Sequence, residues 1–413
     1  MNARTIVGMV CTSLLCTTLY TQPVVNTGIE VLRERGFDIL QGKRIGLVTN
    51  PTGVDSRLNS TIDILYAAPG VKLAALFGPE HGVRGDFAAG DKVESTTDSR
   101  TGIPVYSLYG KTPRPTPEML AGIDVLVYDI QDIGCRSYTY ITTMSLAMEA
   151  AAGQNIPFVV LDRPNPLGGV RMEGNIVEKP FTSFVSMFPS PYVYGLTCGE
   201  LARLLNEEKM LTEGASCKLT VVPMKGWKRT MIFPETGLPW VPTSPHVPRD
   251  VTSLHYVSTG ILGELGVISE GVGYTLPFET FAAEWIDPAL LAERMNALNL
   301  KGVIFRPITY KPFYGRSTGK QLKGVQVHLL DPSPVNLMAI QFLFMQVHHE
   351  LYPDKNPFEL AESSRIRMFD KVAGTDQVRL EFSKRMKYDD VKGLLEKDLQ
   401  SFGAVAKKYY LYE

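Results

Sequence analysis

The chain has 413 residues, of which 44% are hydrophobic and 21% charged, a balance typical of a soluble globular protein with room for two domains. A net charge of -1 argues against a nucleic-acid partner, which would select a basic surface. Five cysteines are too few for a disulfide scaffold, and their spacing fits no common zinc pattern. We therefore expect no nucleic-acid partner and no metal.

The N-terminal 22 residues are predicted to be a signal peptide. Arg4 supplies a positive charge, residues 6–19 are largely apolar, and Pro23 ends the run. The run is short for a membrane span, and no later segment could cross a bilayer. We expect an exported protein, periplasmic or extracellular, without a membrane span after cleavage. A lipid anchor at Cys11 or Cys16 is the alternative.

Residues 27–250 alternate between strand and helix patterns, which predicts right-handed βαβ units and a parallel, Rossmann-like sheet. The predicted strands are 43–49, 71–77, 104–108, 124–130, 156–161 and 219–223. The pattern of residues 251–413 predicts a second domain of mixed α+β structure. No Gly-x-Gly-x-x-Gly follows the first strand and no P-loop is present, so we expect no cofactor.

Polar residues follow four of the predicted strands. These are Asn50; Glu80 and His81; Asp129, Gln131 and Asp132; and Asp162, Arg163 and Asn165. Because the carboxyl ends of parallel strands lie along one edge, where ligands bind, we expect these clusters to converge on one site. The alternative is that they cap helices and turns.

The stretch Leu76–Asp86 carries the most chemistry, because it places a carboxylate, an imidazole and a guanidinium between glycines directly after a buried strand. Glu80 and His81 could form a reactive site, or could satisfy loop backbone and pair with Arg84. The polar segment 82–101 that follows is long enough to be an active-site loop. His246 lies in a similar loop, and nearby Trp240 either stacks on a sugar or packs a linker.

Four motifs together resemble the NamZ family of exo-β-N-acetylmuramidases. They are residues 46–55, the Gly-Pro-Glu-His-Gly core at 78–82, residues 129–140 and residues 161–169, and the likeness continues to the C-terminus through 369–376. The resemblance implies a Rossmann-like catalytic domain, a smaller C-terminal domain and a cleft between them. It also implies release of N-acetylmuramic acid from the non-reducing end of peptidoglycan fragments. One departure is Val272, which stands where the family pattern leads us to expect arginine.

Glycoside cleavage needs a proton donor and a group that handles the cationic sugar. We expect Glu80 to handle the proton and His81 to orient it or bind the sugar. The second carboxylate is Asp129, Asp132 or Glu270, unless the substrate's own acetamide attacks. The side chains predicted to bind substrate are Asn50, Arg84, Gln131, Arg136, Tyr138, Asp162, Arg163, Asn165, Trp240 and Glu270.

The lactyl carboxylate of N-acetylmuramic acid should meet a cation, preferably an arginine. Arg136, Arg163 and Arg84 are the predicted partners, and internal ion pairs are the alternative for each. Two other protein classes stay open at this point. One is a non-catalytic, exported muropeptide- or sugar-binding protein, and the other is a metal-dependent hydrolase.

Overall fold

The computed structural model describes residues 25–85 and 96–413. The predicted signal peptide, and residues 86–95 of the predicted active-site loop, lie outside this range. Within it, no helix combines the length and apolar character that a membrane crossing requires.

A seven-stranded sheet forms the first half of the chain, in the order β3-β4-β2-β1-β5-β6-β7. Its strands are β1 (Arg44–Thr49), β2 (Lys72–Gly78), β3 (Thr96–Thr97), β4 (Pro104–Ser107), β5 (Val125–Asp129), β6 (Phe158–Leu161) and β7 (Leu219–Val222). Six strands are parallel, and β3 alone pairs antiparallel, at the edge. The predicted parallel α/β sheet is therefore confirmed.

Helices cover both faces of this sheet, as continuous apolar strands require. They are α1 (Gly28–Glu34), α2 (Thr61–Tyr66), α3 (Tyr140–Gly153) and α4 (Cys198–Glu207). Helix α4 begins with a capping box, in which the side chains of Thr197 and Glu200 accept each other's backbone N–H groups. After β1, the strands β2 to β4 are added on one side of it, and β5 to β7 are added on the other side. The point between β1 and β5 is therefore the topological switch point of the sheet.

A three-stranded antiparallel sheet and eight helices form the described part of the second half. The strands are β8 (Thr280–Ala283), β9 (Val303–Tyr310) and β10 (Leu322–Leu329), in the order β8-β10-β9. The helices are α5 (Thr252–Gly263), α6 (Pro288–Asn296), α7 (Leu337–Leu351), α8 (Pro357–Leu360), α9 (Ser363–Ala373), α10 (Gln377–Arg385), α11 (Asp389–Glu396) and α12 (Leu399–Ala406). This agrees with the predicted α+β composition.

The two halves share one continuous apolar core. At its centre, the buried guanidinium of Arg136 uses all five N–H groups. It donates to the carbonyl oxygens of residues 175 and 190 in the first half, to those of Val372 and Ala373 in the second, and to the hydroxyl of Ser186. Residue Tyr412 returns to the first half, where its hydroxyl donates to Asp162 at 2.6 Å.

Candidate functional site

The turn after β2 holds two of the predicted catalytic residues in an unusual backbone conformation. The strand ends at Gly78, Pro79 redirects the chain, Glu80 is half-buried and His81 is buried. His81 has a φ of 75°, in the left-handed region that non-glycine residues rarely adopt, and Gly82 follows at 76°. Strain of this kind is often found at functional sites, so the turn is a reasonable place for one.

Glu80 and His81 line a cavity of about 200 Å³ at the carboxyl edge of the sheet. Its other walls come from the start of α3, the loop before α5, α5 itself and the segment before β8. They are Ser137, Tyr138, Thr139, Tyr140, Ser244, Pro245, His246, Val247, Tyr256 and Phe278. Drug-sized ligands occupy roughly 300–1,000 Å³, so this cavity suits a smaller ligand, about one sugar ring. We call it the Glu80 cavity.

Polar contacts fix the walls of the Glu80 cavity. The hydroxyl of Tyr138 shares a hydrogen bond of 2.7 Å with Thr243, and Tyr256 shares one of 3.1 Å with Ser137. The ring of Tyr138 meets those of Tyr140 and Tyr256 edge to face. Rigid aromatic rings beside a carboxylate present both an apolar face and polar groups, the combination that sugar recognition needs.

The electrostatics of the cavity involve Glu80, both histidines and a tyrosine outside the lining. Burial, followed by a hydrogen bond to Glu80, raises the pKa of Tyr109 to about 12, so this phenol stays neutral beside the carboxylate. Burial and the neighbouring His81 lower the pKa of His246, and Glu80 opposes them. His246 is therefore mostly neutral near pH 7 and can accept as well as donate a hydrogen bond.

A second, larger cavity of about 440 Å³ adjoins the first and shares its wall at Pro245 and His246. Its charged lining consists of Glu270, Arg316 and Arg365, all from the second half of the chain. Burial raises the pKa of Glu270 to about 7, although Arg316 partly offsets this effect. The two cavities form one cleft, and we call the larger one the arginine cavity.

Asp129 and Arg163 lie at the switch point of the sheet, bound to each other and not facing the cleft. Nε and Nη2 of Arg163 donate to the two carboxylate oxygens of Asp129 at 2.5 and 3.0 Å, and Thr61 donates to the same carboxylate at 2.5 Å. Both side chains are at most 5% exposed. This pair therefore fits the structural alternative, internal ion pairing, and the roles of Asp129 in catalysis and of Arg163 in substrate binding stay predictions.

Asp132 is buried beside this pair and does not line the Glu80 cavity. One of its oxygens accepts from the backbone N–H of Gly134 at 2.7 Å and from the hydroxyl of Tyr194. Burial raises its pKa to about 6, and those hydrogen bonds only partly oppose the change. Asp132 lines neither cavity and its Oδ1 has no hydrogen-bond partner among the described residues, so its action on a substrate stays a prediction.

The remaining sheet-edge residues bind the protein's own backbone. Gln131 donates to the carbonyl oxygens of Asp132 and Pro164, and Asn165 donates to that of Leu196. The carboxylate of Asp162 accepts from Thr197, from the N–H of Gly199 at the start of α4 and from Tyr412. The side chains of Gln131, Asn165 and Asp162 therefore fit the alternative interpretation, in which polar residues after strands bind the backbone of turns and helix ends.

Asn50 is buried at the end of β1 and belongs to the same edge. Its Oδ1 accepts hydrogen bonds from the backbone and hydroxyl of Thr52, at 3.0 and 2.6 Å. It also lies beside the hydroxyl of Tyr140, a residue of the cavity wall. Asn50 therefore supports the wall from behind and is not part of the lining.

Two further predicted arginines are engaged internally. Arg84 pairs with Asp98 at 2.5 Å and with Asp63 at 3.2 Å. Arg136 has all of its donors occupied, and burial lowers its pKa to about 10. We therefore assign both to structure and not to recognition of a substrate carboxylate.

Trp240 packs away from the Glu80 cavity. Its indole N–H donates to the carbonyl oxygen of Val247 at 3.2 Å, and its ring meets Phe233 edge to face at 4.7 Å. With Gln131 and Arg163 it lines only a void of about 20 Å³ at the switch point. The segment 233–241 thus fills the crevice where the fold would otherwise bind a ligand, so the packed-linker alternative describes Trp240.

The cleft also contains residues that the sequence interpretation did not select. They are Ser137, Tyr140, Tyr256, Phe278, Arg316 and Arg365, and Tyr109 lies beside Glu80 outside the lining. Most come from the second half or from helix starts, where the local pattern indicates only an apolar face or a polar loop. Among the described residues, no group of three or more His, Cys, Asp and Glu side chains is arranged to hold a metal.

The fold and the cleft define a two-domain α/β protein with a candidate active site between its domains. The family description Exo-beta-N-acetylmuramidase NamZ matches the chain twice, its N-terminal part over residues 45–251 and its C-terminal part over 254–412. The chain belongs to the NamZ family. A curated relative, the peptidoglycan beta-N-acetylmuramidase NamZ of Bacillus subtilis (strain 168), is 46% identical over 391 residues, which cover 95% of this chain and 92% of the relative.

Two crystal structures of DUF1343 family proteins from Bacteroides fragilis share the fold. One is 56% identical with a TM-score of 0.90, and the other is 28% identical with a TM-score of 0.73. Each comparison covers 94% of this chain and 99% of the crystallised chain. The whole two-domain arrangement is therefore shared, including the cleft-forming halves.

Proposed function

We propose that this chain is an exo-acting glycosidase that releases N-acetylmuramic acid from the non-reducing end of peptidoglycan fragments. The supporting observation is Glu80, a half-buried carboxylate that lines a cavity of about 200 Å³ with aromatic walls. A cavity that small accepts the terminal sugar of a chain, as an exo-acting enzyme requires. The membership of the NamZ family and the 46% identical muramidase supply the reaction class.

Glu80 is the residue that donates a proton to the leaving oxygen in this proposal. It reaches the cavity from a turn with strained backbone at His81, and Tyr109 lies beside it outside the lining. His81 and His246 border the same space and can bind sugar hydroxyls. The rings of Tyr138, Tyr256 and Phe278 supply apolar surface for the sugar ring.

A second group has to stabilise or attack the positively charged anomeric carbon of the sugar. The positions of the candidate carboxylates bear on which group this is. Asp129 and Asp132 lie in the buried network, and Glu270 lines the adjoining arginine cavity and not the Glu80 cavity. We propose that the carbonyl oxygen of the substrate's 2-acetamido group attacks the anomeric carbon as the glycosidic bond breaks and Glu80 protonates the leaving oxygen. Water, which gives its proton to the Glu80 carboxylate, then attacks the anomeric carbon, breaks the bond to the acetamide oxygen and releases N-acetylmuramic acid. Such a substrate-assisted route needs no carboxylate nucleophile in the cavity.

The replacement Glu80→Gln tests the proposal. It keeps the size of the side chain and removes its acid, so we expect kcat on a chromogenic N-acetylmuramide to fall by about 10³-fold, within the usual range for a general acid. The thermal midpoint should stay unchanged. The matched control is Glu118→Gln, at an exposed position of the same half, which should leave kcat unaltered.

Near-normal turnover in Glu80→Gln would remove Glu80 from catalysis. A wild-type protein that binds N-acetylmuramic acid but releases none from the chromogenic substrate would overturn the enzymatic proposal and favour a sugar-binding protein.

We also propose that the protein acts after export, because residues 1–22 have the charge and apolar pattern of a signal peptide. Cell fractionation of the producing bacterium should place the mature chain outside the cytoplasm, shortened by about 22 residues. A full-length chain confined to the cytoplasm would contradict this.

A further inference from the structure

The arginine cavity has no role in the cleavage step proposed above, yet it opens directly beside the Glu80 cavity. The two share Pro245 and His246, so they adjoin at these residues, and a substituent of a sugar in the Glu80 cavity that points toward His246 points toward the larger space. The lining of that space therefore determines which substituents the enzyme accepts.

Two guanidinium groups dominate the charge of the arginine cavity. Nη2 of Arg316 donates to the carbonyl oxygen of Gly263 at 3.1 Å and lies 3.5 Å from Oε1 of Glu270, and its side chain is 42% exposed. Arg365, from α9, lines the cavity and forms no ion pair within 4.0 Å with a described residue, although its charge acts on the buried carboxyls of Glu264 and Glu270. Both therefore have N–H groups left for a ligand.

The acidic groups nearby only partly balance these charges. Burial raises the pKa of Glu270 to about 7 and also raises that of Glu264, so both carboxyls hold protons more readily than usual. Arginine remains charged throughout this range. The cavity therefore has a net positive charge at neutral pH and below, which suits an anion.

The other arginines considered for substrate recognition are not available. Arg163 is bound to Asp129, Arg84 to Asp98 and Asp63, and Arg136 to backbone carbonyls. Arg316 and Arg365 are the arginines that line either cavity within the described part of the chain.

We propose that Arg316 and Arg365 bind the lactyl carboxylate of an N-acetylmuramic acid residue whose glycosidic bond lies at Glu80. This rests on the proposed function, and it assigns the selection against N-acetylglucosamine, which lacks the lactyl group, to these two side chains. A planar guanidinium can donate two parallel hydrogen bonds to a carboxylate, which gives both affinity and orientation.

The test compares the kcat/KM values of two chromogenic substrates, the β-N-acetylmuramide and the β-N-acetylglucosaminide. For Arg316→Gln or Arg365→Gln we expect about a tenfold loss on the muramide, and for the double variant about 100-fold, because each removes charge-assisted hydrogen bonds. On the glucosaminide the loss should stay within about threefold, since no carboxylate is bound there. Arg365→Lys should restore part of the muramide activity.

Arg367→Gln is the matched control, because Arg367 is an exposed arginine two residues along the same helix and lines neither cavity. It should change neither value. Thermal midpoints of all variants identify any that are unfolded. If Arg365→Gln is unfolded, Arg365→Lys and Arg316→Gln still test the inference.

The inference would be overturned if the double variant kept the wild-type ratio of kcat/KM values for the two substrates, whether both values fell equally or neither fell. The muramidase proposal would stay intact. If the wild-type protein cleaves neither substrate, the proposed function fails instead. Calorimetric titration with free N-acetylmuramic acid and N-acetylglucosamine then still tests the arginines, because only the former should lose affinity in the double variant.

Discussion

The switch point between β1 and β5 and the turn after β2 lie on the same edge of one sheet, yet they differ in what their polar residues contact. At the switch point, Asp129 and Arg163 bind each other, and segment 233–241 leaves a void of only about 20 Å³. After β2, Glu80 and His81 face a cavity ten times larger. The fold's usual ligand crevice is thus filled, and the open site is displaced toward the second half.

The difference shows that a polar turn at a strand end is not in itself a binding site. Carboxylates at the switch point are surrounded on all sides by chain, so they need internal donors to offset the loss of water. Glu80 lies where the second half leaves a gap, and its surroundings include room for a ligand. Variants at the two places should therefore behave in opposite ways, with Glu80→Gln reducing turnover and not stability.

The largest stability effect is expected for Asp129→Asn. This change leaves the buried guanidinium of Arg163 without its charge partner, and breaking a buried pair in this way costs about 3–5 kcal/mol. Denaturant unfolding measures the loss, while kcat of the folded protein should change little. The control is Asp124→Asn, which breaks the exposed pair with Arg44 and should cost far less, because water screens exposed charges.

A large fall in kcat for folded Asp129→Asn, without a loss of stability, would reverse the assignment and return Asp129 to the catalytic machinery.

A smaller, pH-dependent effect is expected for Asp132→Asn. Burial raises the pKa of Asp132 from 3.8 to about 6, so between these values the folded state holds a proton that the unfolded state releases. The free energy of unfolding of the wild type should therefore fall as pH rises through this window, by about 3 kcal/mol relative to the variant, and level off above pH 7.

Unfolding titrations of both proteins at pH 4, 5, 6 and 7 measure this difference. Asp124→Asn again serves as the comparison, because the hydrogen bond from Arg44 lowers the pKa of Asp124 and the sign of its pH dependence is reversed. A wild-type advantage over Asp132→Asn that grew with pH would show that this carboxyl is ionised in the fold.

Much of the fold follows from the sequence because buried parallel strands are continuous apolar runs. Residues 124–130 and 156–161 were recognisable as strands for this reason, and the structure has β5 and β6 within them. The short strand β8, Thr280–Ala283, was not predicted, because it depends on pairing with β10 and has no distinctive pattern. Long-range pairing of this kind leaves little local signal.

The site was predictable only where one short stretch carries its own chemistry. Glu80 and His81 could be selected from their glycine-bounded turn, and Tyr138 from its place after β5. The roles of Arg136 and Trp240 could not be predicted from the neighbouring sequence. Arg136 donates to the carbonyl oxygen of the distant Val372, and Trp240 packs on the ring of Phe233. Arg316 and Arg365 lie in a polar loop and on a charged helix face, patterns that usually mean solvent exposure.

Arg136 also limits how the halves can move. Its Nη2 group holds the carbonyl oxygens of Val372 and Ala373 at 3.0 Å, while its Nη1 group holds those of Asn175 and Ser190 at 2.8 and 2.6 Å. A rigid-body rotation that widened the mouth of the cleft would pull these groups apart and leave a buried cation unsolvated. The two halves are therefore joined at this point by one buried cation, and any change in their relative position has to keep its five hydrogen bonds or replace them.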